Sequence, residues 1–108
     1  MDQTMSYAEI LTQVVREEGK LQPKNGPKIV SVCDQVAGQF LLIAVGWQSR
    51  HRYDDIVFHA QLVDGQVIIE TDMTEEGLKQ TLIEAGVRED DILSIPLRAP
   101  RESDQVAA

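Results

Sequence analysis

Cysteine, aromatic side chains, long apolar runs and basic residues are all scarce in this chain. Cys33 is the only cysteine among 108 residues, so no disulfide can form within it. That usage fits a reducing compartment. No apolar run approaches the roughly 18 residues that a membrane-crossing helix needs. The opening MDQTMSYAEI is acidic and polar and lacks the pattern of a signal peptide. The expected location is therefore cytoplasmic. Ten Lys and Arg stand against 18 Asp and Glu, a formal charge of −8. Such a field repels phosphate backbones at long range and disfavours autonomous nucleic-acid binding. The acidity either keeps a small protein soluble or complements a basic partner.

Catalytic and cofactor signatures are also missing. The seven glycines are scattered among turns and helix ends, so there is no Gly-rich phosphate loop. His51, His59, Asp54 and Asp55 match no strong metal-binding spacing. Cys33 sits in an apolar stretch without a neighbouring base, the setting of a small buried hydrophobe rather than a nucleophile. No catalytic, cofactor-binding or metal-binding residue is assigned.

What is present is enough for one modest core. At 43% hydrophobic and 26% charged residues, the chain is neither disordered nor fibrous. Ser6 and Glu9 have the S-x-x-E spacing of a capping box. Tyr7, Ile10, Leu11, Val14 and Val15 then form one helical stripe. Gly19 is expected to end that helix in a left-handed conformation. Lys28–Cys33 is β-branched and reads as a strand. Phe40–Trp47 is apolar at both alternating sets of positions, the pattern of a central strand covered on both sides. A basic turn with Arg50, His51 and Arg52 follows. In Asp55–Val63, Ile56, Phe58, Ala60 and Leu62 face one way, and Asp55, Val57, His59 and Gln61 the other.

Asp64-Gly65 is a strong two-residue hairpin signal, with Gln66–Thr71 as the return strand. That register sets Val63 opposite Gln66, Leu62 opposite Val67 and Ala60 opposite Ile69. It also sets His59 across from Glu70, a contact in which the carboxylate would favour protonated His59. A second helix is expected from Asp72 or Thr74, with Asp72 and Glu75 as a second capping box, ending at Gly86. Leu93, Ile95 and Leu97 alternate as a short last strand, with Pro96 marking an edge. The fold class is α+β: an N-terminal helix, a largely antiparallel four-stranded meander, a second helix and a short final strand. All 108 residues read as one domain, with a polar tail over about 101–108.

The order of these residues resembles the XisI-like family, the excision-controlling factors of the fdxN element. The resemblance runs from the Tyr7 helix through Pro23, Gly26 and Asp34. It is strongest at Val45-Gly46-Trp47, Arg52, His59, Asp64-Gly65, Thr74-Glu75 and Ala85-Gly86-Val87, and continues to Asp91-Ile92. The chain departs from the family pattern at Ile68, where a Trp is usual. It departs again at Ser94-Ile95-Pro96-Leu97-Arg98, where Gly-Phe-His-x-Pro is usual, and in the tail from Ser103 to Ala108.

The resemblance implies an accessory, non-enzymatic protein in programmed DNA excision, paired with an XisH-type protein of nuclease fold. A homodimer is a further expectation. The surface expected to meet a partner or ligand comprises Gly46, Trp47, Arg50, Arg52, His59 and Glu70. The competing reading is a small enzyme or ligand-binding protein with a sheet-edge pocket around His59 and Arg52.

Overall fold

The computed structural model describes residues 5–95. Helix α1 (Tyr7–Glu18) leads into strands β1 (Lys28–Asp34), β2 (Gln39–Gln48), β3 (His51–Val63) and β4 (Gln66–Asp72). Helix α2 (Lys79–Ala85), a 3₁₀ turn at Glu89–Asp91 and strand β5 (Ile92–Ser94) follow. The five strands form one sheet in chain order. β1 to β4 pair antiparallel, and β5 pairs parallel to β4. The α+β meander flanked by two helices is the expected architecture. Pro96, Leu97 and the polar tail lie outside the described residues.

The capping box of α1 forms in full: Glu9 N–H donates to Ser6 Oγ at 3.1 Å, and Ser6 N–H to Glu9 Oε1 at 2.9 Å. Ile10, Leu11, Val14 and Val15 are buried, as their spacing requires. They meet Phe40, Leu42, Phe58, Ala60, Val67 and Ile69 from the sheet, and Leu78, Leu82, Val87 and Ile92 from the last third of the chain. Gly19 differs from expectation: it stays right-handed at φ −67°. A Cβ there would lie 3.2 Å from Ser31 Cβ, so the glycine serves the approach of α1 to β1.

The second helix starts later than expected. The Asp72 side chain does not cap a helix but folds the loop ahead of it. Its Oδ1 accepts from Thr74 N–H and its Oδ2 from Leu78 N–H. The chain therefore wraps around one carboxylate until residue 78, and helical geometry begins at Lys79.

Two bulges revise the facing of β3. Leu42 pairs with Phe58, but Ile43 pairs with Ile56, so Val57 is an extra residue. Phe58 and Val57 consequently both turn to the core side, while Ile56 is exposed on the opposite face. The expected grouping of Ile56 with Phe58, and of Val57 with His59, is overturned by that one insertion. A second shift lies between His59 and Ala60: Ala60 pairs with Ile69 as expected, but His59 pairs with Thr71 rather than Glu70.

The strand β2 also departs from its pattern. Phe40 and Leu42 are buried under the helices and Ala44 is buried beyond them, whereas Leu41, Ile43 and Val45 are only half-buried on the far face. Among the described residues, both helices pack on one side of the sheet. The apolar residues of the other side have no second layer over them.

Candidate functional site

β2 and β3 are longer than the strands that flank them. β1 pairs no further along β2 than Val45. The pairs Gly46–Tyr53, Trp47–Arg52 and Gln48–His51 therefore continue as a two-stranded ribbon beyond the sheet. Arg52 and His51 lie within β3, so the turn expected to carry the basic residues is confined to Ser49 and Arg50. Gly46 has φ +133°, an angle closed to most side chains, and a Cβ there would have its nearest neighbours at 3.7 Å. Backbone angle, not crowding, explains the glycine.

The ribbon presents an exposed aromatic and cationic surface. Trp47 is 65% exposed. The Arg52 guanidinium carbon lies 5.7 Å from the centroid of the indole ring, a cation–π geometry. On the same ribbon, the His51 and Tyr53 rings meet edge to face at 4.4 Å. Gln48 Nε2 donates to Asn25 O at 2.6 Å, which ties the ribbon to the preceding loop. Asp54 and Asp55 follow directly on β3, so the basic patch of Arg50 and Arg52 is bordered by acid.

His59 and Glu70 belong to a different place, the outer face of the sheet. They do not touch. His59 Nε2 lies 2.7 Å from Gln39 Oε1, Gln39 Nε2 donates to Gln61 Oε1 at 3.0 Å, and Gln61 Nε2 donates to Glu70 Oε2 at 2.7 Å. Gln39 uses its nitrogen toward Gln61, so its oxygen accepts and His59 Nε2 carries a hydrogen. The expected direct pair is thus a four-residue row across three strands. The two glutamines were missed because the bulge displaces Glu70 by one register position.

Arg52 and His59 stand roughly 20 Å apart along β3, at about 3.3 Å per residue. The main cavities lie on the helix side. One of about 530 Å³ has Ile29, Leu42 and Val57 among its walls, with Glu18, Gln22 and Thr74. Another of about 490 Å³ shares Glu18 and Leu21 with it and reaches Thr81 and Ala85. Neither His59 nor Arg52 lines either cavity. Among the described residues, no group of three or more His, Cys, Asp or Glu is placed to hold a metal. No helix among them is long and apolar enough to cross a membrane.

An open-faced α+β domain with a projecting aromatic ribbon is the class that these features define. The family model described as XisI protein matches residues 1–103, and the chain belongs to that family. Its fold is shared with two solved structures from Anabaena variabilis ATCC 29413. The crystal structure of a XisI-like protein has TM-score 0.74 at 21% identity, covering 89% of this chain and 88% of the other. That of the fdxN element excision controlling factor XisI has TM-score 0.69 at 20% identity, covering 89% and 87%. No curated protein matches the chain.

Proposed function

We propose that this chain is a non-enzymatic accessory subunit that acts through a protein partner in DNA excision or a related DNA-handling process. The observation that carries the reading is the ribbon, with exposed Trp47 held against Arg52 at the end of two paired strands. Tryptophan and arginine are the residues most often found at the energetic centre of protein interfaces. A strand-paired ribbon presents them at a lower entropy cost than a loop that must order on binding. Family membership and the structural likeness to an excision controlling factor support the process. The net charge of −8 favours a basic, DNA-handling protein over DNA itself as the direct contact. The partner proposed is an XisH-type protein of nuclease fold. The reading with one pocket built from His59 and Arg52 has no comparable support, since those residues are far apart.

Light scattering after size exclusion, on the chain alone and mixed with the XisH-type protein, tests this. A stable hetero-complex is expected, weakened by Trp47→Ala and by Arg52→Ala while both variants keep the wild-type circular dichroism. Unchanged masses on mixing would overturn the reading.

A further inference from the structure

We infer that the open face of the sheet packs against the same face of a second copy of this chain. The sequence of β2 has apolar residues at both alternating sets of positions, the signature of a strand covered on two sides. The helices cover one side. On the other, Val30, Val32 and Ile56 are exposed, and Leu41, Ile43 and Val45 are half-buried. These six lie on three adjacent strands in matched register: Val32 beside Leu41, and Val30 beside Ile43 beside Ile56.

The size of the face suits a dimer. Four strands at about 4.8 Å and six residue steps at about 3.3 Å give a footprint of about 400 Å². About half of that is the apolar centre on three strands, and the rest is the polar row. Side chains standing out of that plane bring the accessible area toward the roughly 800 Å² per partner of a standard interface. Two sheet faces pack about 10 Å apart, with aligned strands, by interdigitating such side chains.

The placement of charge along β1 suits a second copy as the occupant. Two chains of −8 repel, and close approach is easiest where acid is sparse. The centre of this face is apolar, and acid borders it at Asp54, which pairs with Val45, and at Glu70. The charged residues of β1 sit at its two ends with opposite sign, Lys28 first and Asp34 last. Face-to-face stacking with antiparallel strands lays each Lys28 over Asp34 of the other copy. The row of His59, Gln39, Gln61 and Glu70 supplies a polar rim. The ribbons remain free at opposite ends, so this interface is independent of the one proposed for Trp47.

The test is the solution mass of the full chain, followed from the highest soluble concentration downward. The expected result is twice the 12.1 kDa chain mass, falling toward one chain on dilution. Ile56→Lys and Val30→Lys place a charge in the face without touching the core. Each is expected to weaken association by at least about thirtyfold, as an unpaired buried charge does, with circular dichroism retained. Trp47→Ala should leave the dimer intact. A single-chain mass at every concentration, or a dimer unaffected by both lysine variants, would overturn the inference. So would a single-chain wild type whose complex with the XisH-type protein is lost in Ile56→Lys, which would assign the face to that protein.

Discussion

The Tyr7 hydroxyl donates to Asp91 Oδ2 at 2.6 Å, joining the first turn of α1 to the turn that precedes β5. The same oxygen accepts from the backbone N–H of Arg88 at 3.2 Å. One phenol thereby fixes two points of the segment that delivers Val87 and Ile92 to the core. Tyr7→Phe keeps the ring and removes both bonds. The expected cost is about 1–2 kcal/mol, read as a lower urea midpoint at constant slope.

Gln22 acts as a substitute strand. Its Oε1 accepts from Ile29 N–H at 2.9 Å, and its Nε2 donates to Ile29 O at 3.0 Å. The amide thus occupies part of the free edge of β1, where unpaired backbone would otherwise invite another chain. Gln22→Ala is expected to lower stability by about 1–2 kcal/mol. It should also raise turbidity on prolonged incubation, whereas Gln22→Glu, which loses only the donor, should lie between it and wild type.

Gly38 closes the β1–β2 turn with φ +69°, and a Cβ there would sit 2.7 Å from Leu62 O. That carbonyl belongs to backbone and cannot move aside cheaply, because Leu62 N–H also donates to Gly38 O at 2.9 Å. Gly38→Ala therefore meets both a strained angle and a clash. A loss of about 2–3 kcal/mol is expected in equilibrium unfolding, against a much smaller loss for Gly65→Ala, where nothing lies within 4 Å.

Burial pushes the Cys33 thiol above its ordinary range, opposed by the charge of Arg16 and a hydrogen bond from it. The thiol is the neutral, unreactive form at neutral pH. Iodoacetamide should label native protein slowly at pH 7, faster as pH rises, and rapidly once urea unfolds it. Arg16→Ala removes the opposing influence and should slow native labelling further. Rapid labelling of the native state at pH 7 would contradict this.

Trp47 is the only tryptophan, so tryptophan fluorescence, excited where tyrosine does not absorb, reports on the ribbon alone. Its exposure predicts a water-like emission maximum with full access to iodide. Arg52→Ala should change the intensity while shifting the unfolding midpoint by no more than an exposed cation–π pair allows, about 0.5–1 kcal/mol. Partner binding at the ribbon should blue-shift the emission, and dimerisation through the sheet face should not.

The parts legible in the sequence were those written in local chemistry. Ser6 and Glu9 announce the first helix because each side chain satisfies the other's backbone. Asp64-Gly65 announces its hairpin because few residues tolerate the required angles, and the expected pairs Val63–Gln66, Leu62–Val67 and Ala60–Ile69 all form. The bulges at Val57 and Glu70 carry no such signal. A bulge adds one residue without a distinctive side chain, and every residue beyond it changes face. That is why Ile56 reads as core and proves exposed, and why His59 reads as a partner of Glu70 and meets Gln39 instead. Asp72 has the chemistry of a helix cap but its oxygens are drawn to N–H groups of the loop. The ribbon residues were legible as neighbours. Their projection beyond the sheet was not, because it depends on where β1 ends.

The parallel pairing of β5 with β4 sets the order in which the molecule can assemble. β1 to β4 are joined by short turns, so each pair needs only neighbouring chain to close. β5 must wait until α2 has crossed over, and its three pairs, Val67–Ile92, Ile68–Leu93 and Ile69–Ser94, close the longest loop between adjacent strands of this sheet. During synthesis the meander can form while the final segment is still inside the ribosome, with Val67 and Ile69 awaiting their last neighbour. A nascent chain halted before Ile92 would therefore carry an unfinished edge at β4.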